Sequence, residues 1–228
     1  MKSESQNYQN NHLIRSFGRI KSRKFSDHKQ SLLSDFIKKG SDPFSKKGSD
    51  PLQRNVLEIG FGFGDFLFEK VKKNPQINFF GFEPHLNGVV NLLAKIENEP
   101  LNNLQISCED VRPALEKFPE KFFDEVYILF SDPWPKSKHF KRRLITKEFL
   151  DQTLSPKMKN AGKLIIATDH DSYKTWILAE FLRSEKFSWQ ANSKKDWQIF
   201  PEDWVETKYQ KKAQIEGRVS VIFQLTNQ

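Results

Sequence analysis

An open, mostly parallel α/β sheet with helices on both faces and an antiparallel edge is the fold class that three features of the 228-residue sequence predict. Short β-rich runs alternate with longer mixed segments, the pattern of repeated βαβ units. A glycine-rich turn, Gly60-Phe61-Gly62-Phe63-Gly64, follows the first of these runs and leads into a helix-like stretch. Acidic residues and a proline-rich turn stand just after the later runs, where ligands of doubly wound sheets bind.

In chain order, residues 1–51 read as a basic arm and a Gly/Ser/Pro linker, and 52–228 as the folded domain. The linker contains the hexamer KKGSDP twice, at 38–43 and 46–51, and its glycine, serine, aspartate and proline favour turns over regular structure. Strands are predicted at 55–60, 77–83, 104–108, 124–130 and 162–168, and helices at 65–73, 86–98, 112–117 and 144–154. A final pair, 187–191 and 218–225, lies close enough in sequence to form the antiparallel edge.

Apolar residues make up 37% of the chain, but 21 Phe and 5 Trp supply bulky core side chains, so a folded domain is expected despite 29% charged residues. No apolar run approaches the roughly 18 residues that span a bilayer, and the start lacks the apolar segment of a secretory signal. No membrane association and a cytoplasmic location are therefore expected. The single cysteine, Cys108, can form neither an intrachain disulfide nor a cysteine metal cluster, and no metal is expected.

The net charge of +8 is unevenly placed. The first fifty residues hold eleven Lys/Arg against five acids, and Pro135 to Arg143 (PKSKHFKRR) holds five Lys/Arg with no acid. Two separated basic segments suit a polyanion such as nucleic acid, although each is also compatible with a simple solvated surface.

A bare G-x-G-x-G is compatible with a plain flexible turn, so its neighbours decide what it holds. A dinucleotide would set its pyrophosphate on the helix N-terminus and require a small residue at position 65. Asp65 stands there, and Glu58 precedes the loop. Two carboxylates suit a cationic ligand, and S-adenosylmethionine carries both a sulfonium and an ammonium. Gly60, Gly62 and Gly64 would allow its close approach. Glu83 ends the second run about 20 residues on, where an acid accepts ribose hydroxyls. After the third run, Glu109-Asp110 can accept from the adenine amine. Each acid taken singly reads equally well as a surface carboxylate; together at successive strand ends they point to a Rossmann-like class I methyltransferase.

After the fourth run comes Ser131-Asp132-Pro133-Trp134-Pro135-Lys136, stiffened by two prolines. Asp132 should face the crevice where the methyl group lies, and Trp134 offers an apolar plane. Methylating a pyrimidine carbon would need a cysteine here, and Cys108 belongs to another strand. A nitrogen with a free lone pair needs no such nucleophile.

With RSFGRI (15–20), LEIGFGFGDF (57–66), GFEPH (81–85), SDPWPKSKHFKRR (131–143), TDHDSY (168–173) and ETKYQKKA (206–213), the chain resembles the bacterial tRNA (guanine-N7-)-methyltransferases over nearly its whole length. The resemblance implies S-adenosylmethionine as cofactor and tRNA as partner, with the enzyme a monomer or a homodimer. It implies that Glu58, Glu83, Asp110 and Asp132 bind the cofactor, with Asp132 also catalytic. Lys136, Asp169, Thr207, Lys208, Tyr209 and Gln210 correspond to substrate-binding positions. Lys138, His139, Lys141, Arg142 and Arg143 correspond to an RNA-contacting loop, and Arg15 and Arg19 are expected to close over the same substrate. Two departures stand out: Gln210 replaces the family's usual Glu, and Ser131 its usual Pro. The rival readings are an exocyclic-amine methyltransferase, whose Asp-Pro-Pro-aromatic turn DPW only partly matches, and an RNA-binding protein with a relic cofactor fold. An NAD-dependent enzyme is disfavoured by the acids around the loop.

Overall fold

The β-rich runs assemble into a 7-stranded sheet of order β3-β2-β1-β4-β5-β7-β6 in a computed structural model that describes residues 25–39 and 53–228. Arg15, Arg19, the RSFGRI segment and residues 40–52 lie outside the described residues. The strands are β1 (Asn55–Ile59), β2 (Asn78–Phe82), β3 (Leu104–Ser107), β4 (Phe123–Leu129), β5 (Met158–Thr168), β6 (Phe187–Trp189) and β7 (Val221–Asn227). The first five pair in parallel, and β7 runs antiparallel between β5 and β6. The fold class expected from the sequence is the one observed.

Helices α2 (Asp65–Lys73), α3 (Leu86–Asn98) and α4 (Val111–Leu115) connect the first four strands, close to their expected bounds. Period-two alternation sends Leu57 and Ile59 to one face of β1 and Val56 to the other. One face packs against Phe118, Phe149, Tyr173 and Phe181, the other against Phe66, Leu67, Val89 and Leu92. The many phenylalanines have a structural use here. Phe80 meets the rings of Phe118, Phe122 and Phe123 edge-on, at centroid distances of 5.4 to 5.7 Å, the arrangement that aromatic quadrupoles favour.

Three elements differ from expectation. The helix expected at 144–154 begins only at Lys147, because the Thr146 hydroxyl accepts the Phe149 N–H at 3.1 Å and so caps a later start. It then widens into a π-helix at Phe149–Leu154 and ends in a tight turn at Ser155–Lys157. β5 starts at Met158 rather than 162, since a bulge with Ala161 at φ 61° interrupts its register with β4. Helix α1 (Asp27–Lys39), within the segment read as an arm, packs on α3, with His28 Nε2 2.9 Å from Glu97 Oε2 and Phe36 against the core. Helices α5 (Asp171–Leu182), α6 (Lys195–Gln198) and α7 (Lys208–Ile215) complete the set. Among the described residues, no helix is long and apolar enough to cross a membrane, and no group of three or more His, Cys, Asp or Glu is placed to hold a metal.

The start of α3 is pressed onto the glycine turn, and a Cβ on Gly88 would collide with the Gly62 carbonyl oxygen. Gly88→Ala should therefore displace the turn. We expect a loss of about 1–3 kcal/mol in stability, together with weakened affinity for S-adenosylmethionine, read by thermal melting and by calorimetric titration.

Candidate active site

β1 and β4 are neighbours, with β2 and β3 wound to one side and β5 to the other, so a crevice opens at their carboxyl ends. A cavity of about 400 Å³ lies there, lined by Gly60, Gly62, Glu83, Asp110, Asp132 and Trp134. Gly60, Gly62 and Gly64 hold φ of 75°, 55° and 74°, left-handed values that side chains resist. The turn is fastened from β2: Glu83 Oε2 accepts the Gly62 N–H at 2.8 Å and Oε1 accepts the His85 N–H at 2.8 Å. Each oxygen keeps a further lone pair for a ligand. Burial raises the Glu83 carboxyl above its ordinary pKa, partly offset by these two backbone donors.

Glu58 opens on a small recess beside the cavity, with Gly60, Phe63 and Tyr209. Its side chain is buried, and Oε2 has no hydrogen-bond partner. Burial first, then Glu83 and Asp65, push its pKa from 4.5 to about 8. A buried, unpartnered carboxyl next to a second acid fits a ligand that brings a cation, as S-adenosylmethionine does. Asp65 itself is paired with Lys95. Asp110 caps α4, taking the Arg112 backbone N–H at 3.0 Å and its Nε at 2.9 Å on Oδ1.

The fourth strand end carries strain. Phe130 and Trp134, on either side of Asp132, hold φ of 52° and 42°, conformations costing on the order of 1–3 kcal/mol each. Asp132 is exposed at the cavity. The Arg142 guanidinium lies 4.9 Å from the centre of the Trp134 ring and also lines the cavity, while His139 meets that ring edge-on at 5.6 Å. Lys136, Lys138 and Lys141 are exposed.

Arg143 is the correction within this basic segment. Only 3% of it is exposed, so its guanidinium is not presented at the surface as Lys136, Lys138 and Lys141 are. It points inward because the tight turn at Ser137–Arg142 ends in an extended residue.

The segment 207–210 divides as well. Thr207 is buried and caps α7 through Oγ1, which accepts the Gln210 N–H at 3.0 Å. Gln210 is also buried, and its Oε1 accepts the Trp204 indole N–H at 2.7 Å, so this oxygen is engaged within the protein. Lys208 sits 4.2 Å from the Phe63 ring centre, and Tyr209 lines both the cavity and the Glu58 recess. Asp169, at the end of β5, is not among the residues lining the cavity; its Oδ2 lies 2.7 Å from Nε of Arg218. The sequence reading missed Arg218. It also missed His85, Asn87 and Gly88, which line the cavity and could have been found by the rule that strand ends carry the site.

A family model described as "Putative methyltransferase" matches residues 53–222. A tRNA (guanine-N(7)-)-methyltransferase of Hyphomonas neptunium is 40% identical over 156 residues, 68% of this chain and 71% of the relative. Its counterpart in Roseobacter denitrificans is 39% identical over 71% of this chain and 69% of the relative. Among solved structures, an antibiotic-related methyltransferase aligns over 92% of this chain and 98% of its own, with TM-score 0.51 and 14% identity. The 16S rRNA methyltransferase KamB aligns over 90% and 94%, with TM-score 0.50 and 15% identity. These two share the fold.

The protonation of Glu58 makes stability pH-dependent. Between pH 4.5 and about 8 the unfolded chain has lost this proton and the folded protein retains it. The unfolded state then binds fewer protons, and stability falls by about 1.4 kcal/mol per pH unit across that window. Glu58→Gln should remove this slope and melt above the parent protein at pH 8, as scanning calorimetry across the pH range will test.

Proposed function

The chain belongs to the tRNA (guanine-N7-)-methyltransferase family, and on that premise we propose how its own residues transfer a methyl group from S-adenosylmethionine to N7 of a guanine in tRNA. The observation that carries the assignment is a cavity whose lining combines the carboxylates of Glu83, Asp110 and Asp132 with Trp134 and Arg142. When bound, S-adenosylmethionine supplies a sulfonium methyl: the N7–carbon bond forms as the carbon–sulfur bond breaks, with the electron pair left on sulfur.

Glu58 would receive the cationic end of S-adenosylmethionine, its proton passing to solvent. The glycine turn and Glu83 would hold the ribose, and Asp110 would take the adenine amine. Tyr209, fixed by the Thr207 cap and the Gln210–Trp204 bond, closes over the turn. Gln210 thus supports the site from behind, and the substrate side of this segment is carried by Lys208 and Tyr209.

N7 is unprotonated at neutral pH, so no general base is required. The purine gains positive charge as the methyl arrives, and Asp132 stabilises that charge in the transition state. Trp134 offers its ring for stacking against the base. Asp169, on the adjacent strand end, serves guanine after exchanging its Arg218 partner. Lys136, Lys138, Lys141 and Arg142, with His139, bind backbone phosphates and position the RNA without reading its sequence. N7 is buried in the deep major groove of an RNA helix, so the target guanine must lie in a loop or an open tertiary element. We place the enzyme in the cytoplasm with its tRNA substrate.

Unmodified tRNA incubated with the protein and S-adenosylmethionine should yield 7-methylguanosine by nucleoside mass analysis; a different methylated nucleoside would overturn the assignment. Asp132→Ala should slow single-turnover methylation by roughly 100-fold or more, with tRNA affinity little changed. Binding of tRNA should weaken steeply with salt as several phosphate contacts are screened, and a curve flat from 50 to about 200 mM salt would count against the basic rim.

A further inference from the structure

The Arg143 guanidinium is buried among three aromatic rings, with its carbon 3.8 Å from the Phe140 centroid, 4.6 Å from Trp176 and 5.2 Å from Tyr173. Among the described residues no carboxylate pairs with it. Its Nε donates to the Pro133 carbonyl at 2.8 Å, and Nη2 makes a longer contact to the Trp134 carbonyl at 3.5 Å. A buried cation without a counter-ion is costly, and a planar, weakly hydrated guanidinium that stacks and donates in a fork is the group that tolerates it best.

The turn it grips has reason to need it. Pro133 and Pro135 supply no N–H, and Phe130 and Trp134 hold strained φ values. Such geometry persists only when surrounding bonds impose it. Three do so: the Phe130 N–H to Ala167 O at 2.7 Å, Ser131 Oγ to the Tyr173 hydroxyl at 3.2 Å, and the Arg143 fork. Tyr173 belongs to both of the last two, since its ring also flanks Arg143. The cage is anchored in turn by Trp176, whose indole N–H donates to Ile145 O at 2.7 Å.

We propose that Arg143 is a positioning residue for methyl transfer: caged by Phe140, Tyr173 and Trp176, it holds the Pro133 and Trp134 carbonyls and thereby fixes Asp132 over the cavity. This rests on the role given to Asp132 above. The two consecutive arginines then divide their work, Arg142 lying on the ring of Trp134 and Arg143 holding its backbone.

Arg143→Lys keeps the charge but loses the fork and the stacking. With full-length protein, tRNA and S-adenosylmethionine, it should lower kcat roughly 100-fold, the scale of an ångström misplacement. KM for both substrates and the salt slope of tRNA binding should match the parent, as should circular dichroism at the assay temperature. Lys138→Ala, by contrast, should reduce that slope by about 1. Parent-like kcat in Arg143→Lys, or a slope reduced as in Lys138→Ala, overturns the proposal. Should Arg143→Lys fail to fold, Phe140→Leu decides: it loosens the cage without removing the cation and should cut kcat several-fold at unchanged KM, and a parent-like kcat there is equally fatal. Asp132→Ala run alongside separates the two readings. Fast transfer by Asp132→Ala removes the role of Asp132 and with it the purpose of the grip, whereas fast Arg143→Lys beside slow Asp132→Ala removes only the proposal for Arg143.

Discussion

The Glu83 carboxylate, shared between the N–H groups of Gly62 and His85, is the contact on which the site's geometry depends. It joins the turn after β1 to the exit from β2, across neighbouring parallel strands. Three left-handed glycines give the turn its shape, but three permissive residues do not stay in one conformation unaided. Glu83 supplies the restraint at the middle glycine, and α3 supplies it from the other side through Gly88. The acid that would otherwise be read only as a ligand for ribose is thus also part of the frame.

That arrangement gathers carboxyl groups. Glu83 and Asp65 are close enough to add to burial in raising the Glu58 pKa. A fold in which stability alone was optimised would place a hydrophobic residue at Glu58, since its Oε2 gains nothing from the protein. That cost fits the role proposed for Glu58, in which a cationic ligand completes the site. The net charge of +8 conceals this, because it sums an acidic interior with basic segments on the rim. On the reading proposed above, the basic rim would attract the polyanion at long range while the buried acids act at contact distance, where salt screens them least.

How much could be read from the sequence followed the range of the interactions involved. Strands β1 to β4 and helices α2 and α3 were legible because local periodicity and the glycine turn determine them. The acids at strand ends were legible because a parallel sheet puts its ligands there. Helix α5 carries a readable signal, since its buried Tyr173, Ile177, Glu180 and Phe181 recur at helical spacing, but the TDHDSY motif at its start draws attention to chemistry instead. Gln210 and Arg143 were not legible. Whether an amide faces a substrate or the Trp204 indole, and whether one arginine in a run of basic residues turns inward, depends on rings brought from Phe140, Tyr173 and Trp176 by tertiary packing.

The strained turn explains why an apparently uniform basic segment has two kinds of residue. In the role proposed for Asp132, a carboxylate that offsets a cation for only the moment of transfer must be in place beforehand, because reorganising it would consume the stabilisation it provides. Asp132 is exposed, so its own surroundings cannot hold it, and its rigidity has to come from the backbone. Prolines on either side of Trp134 limit that backbone but remove its donors, leaving carbonyls that only an external donor can fix. An exposed lysine would be a mobile donor tied up by water. A caged guanidinium is neither, and its place in the chain directly after the exposed Lys136, Lys138 and Lys141 ties that basic surface to the strained turn.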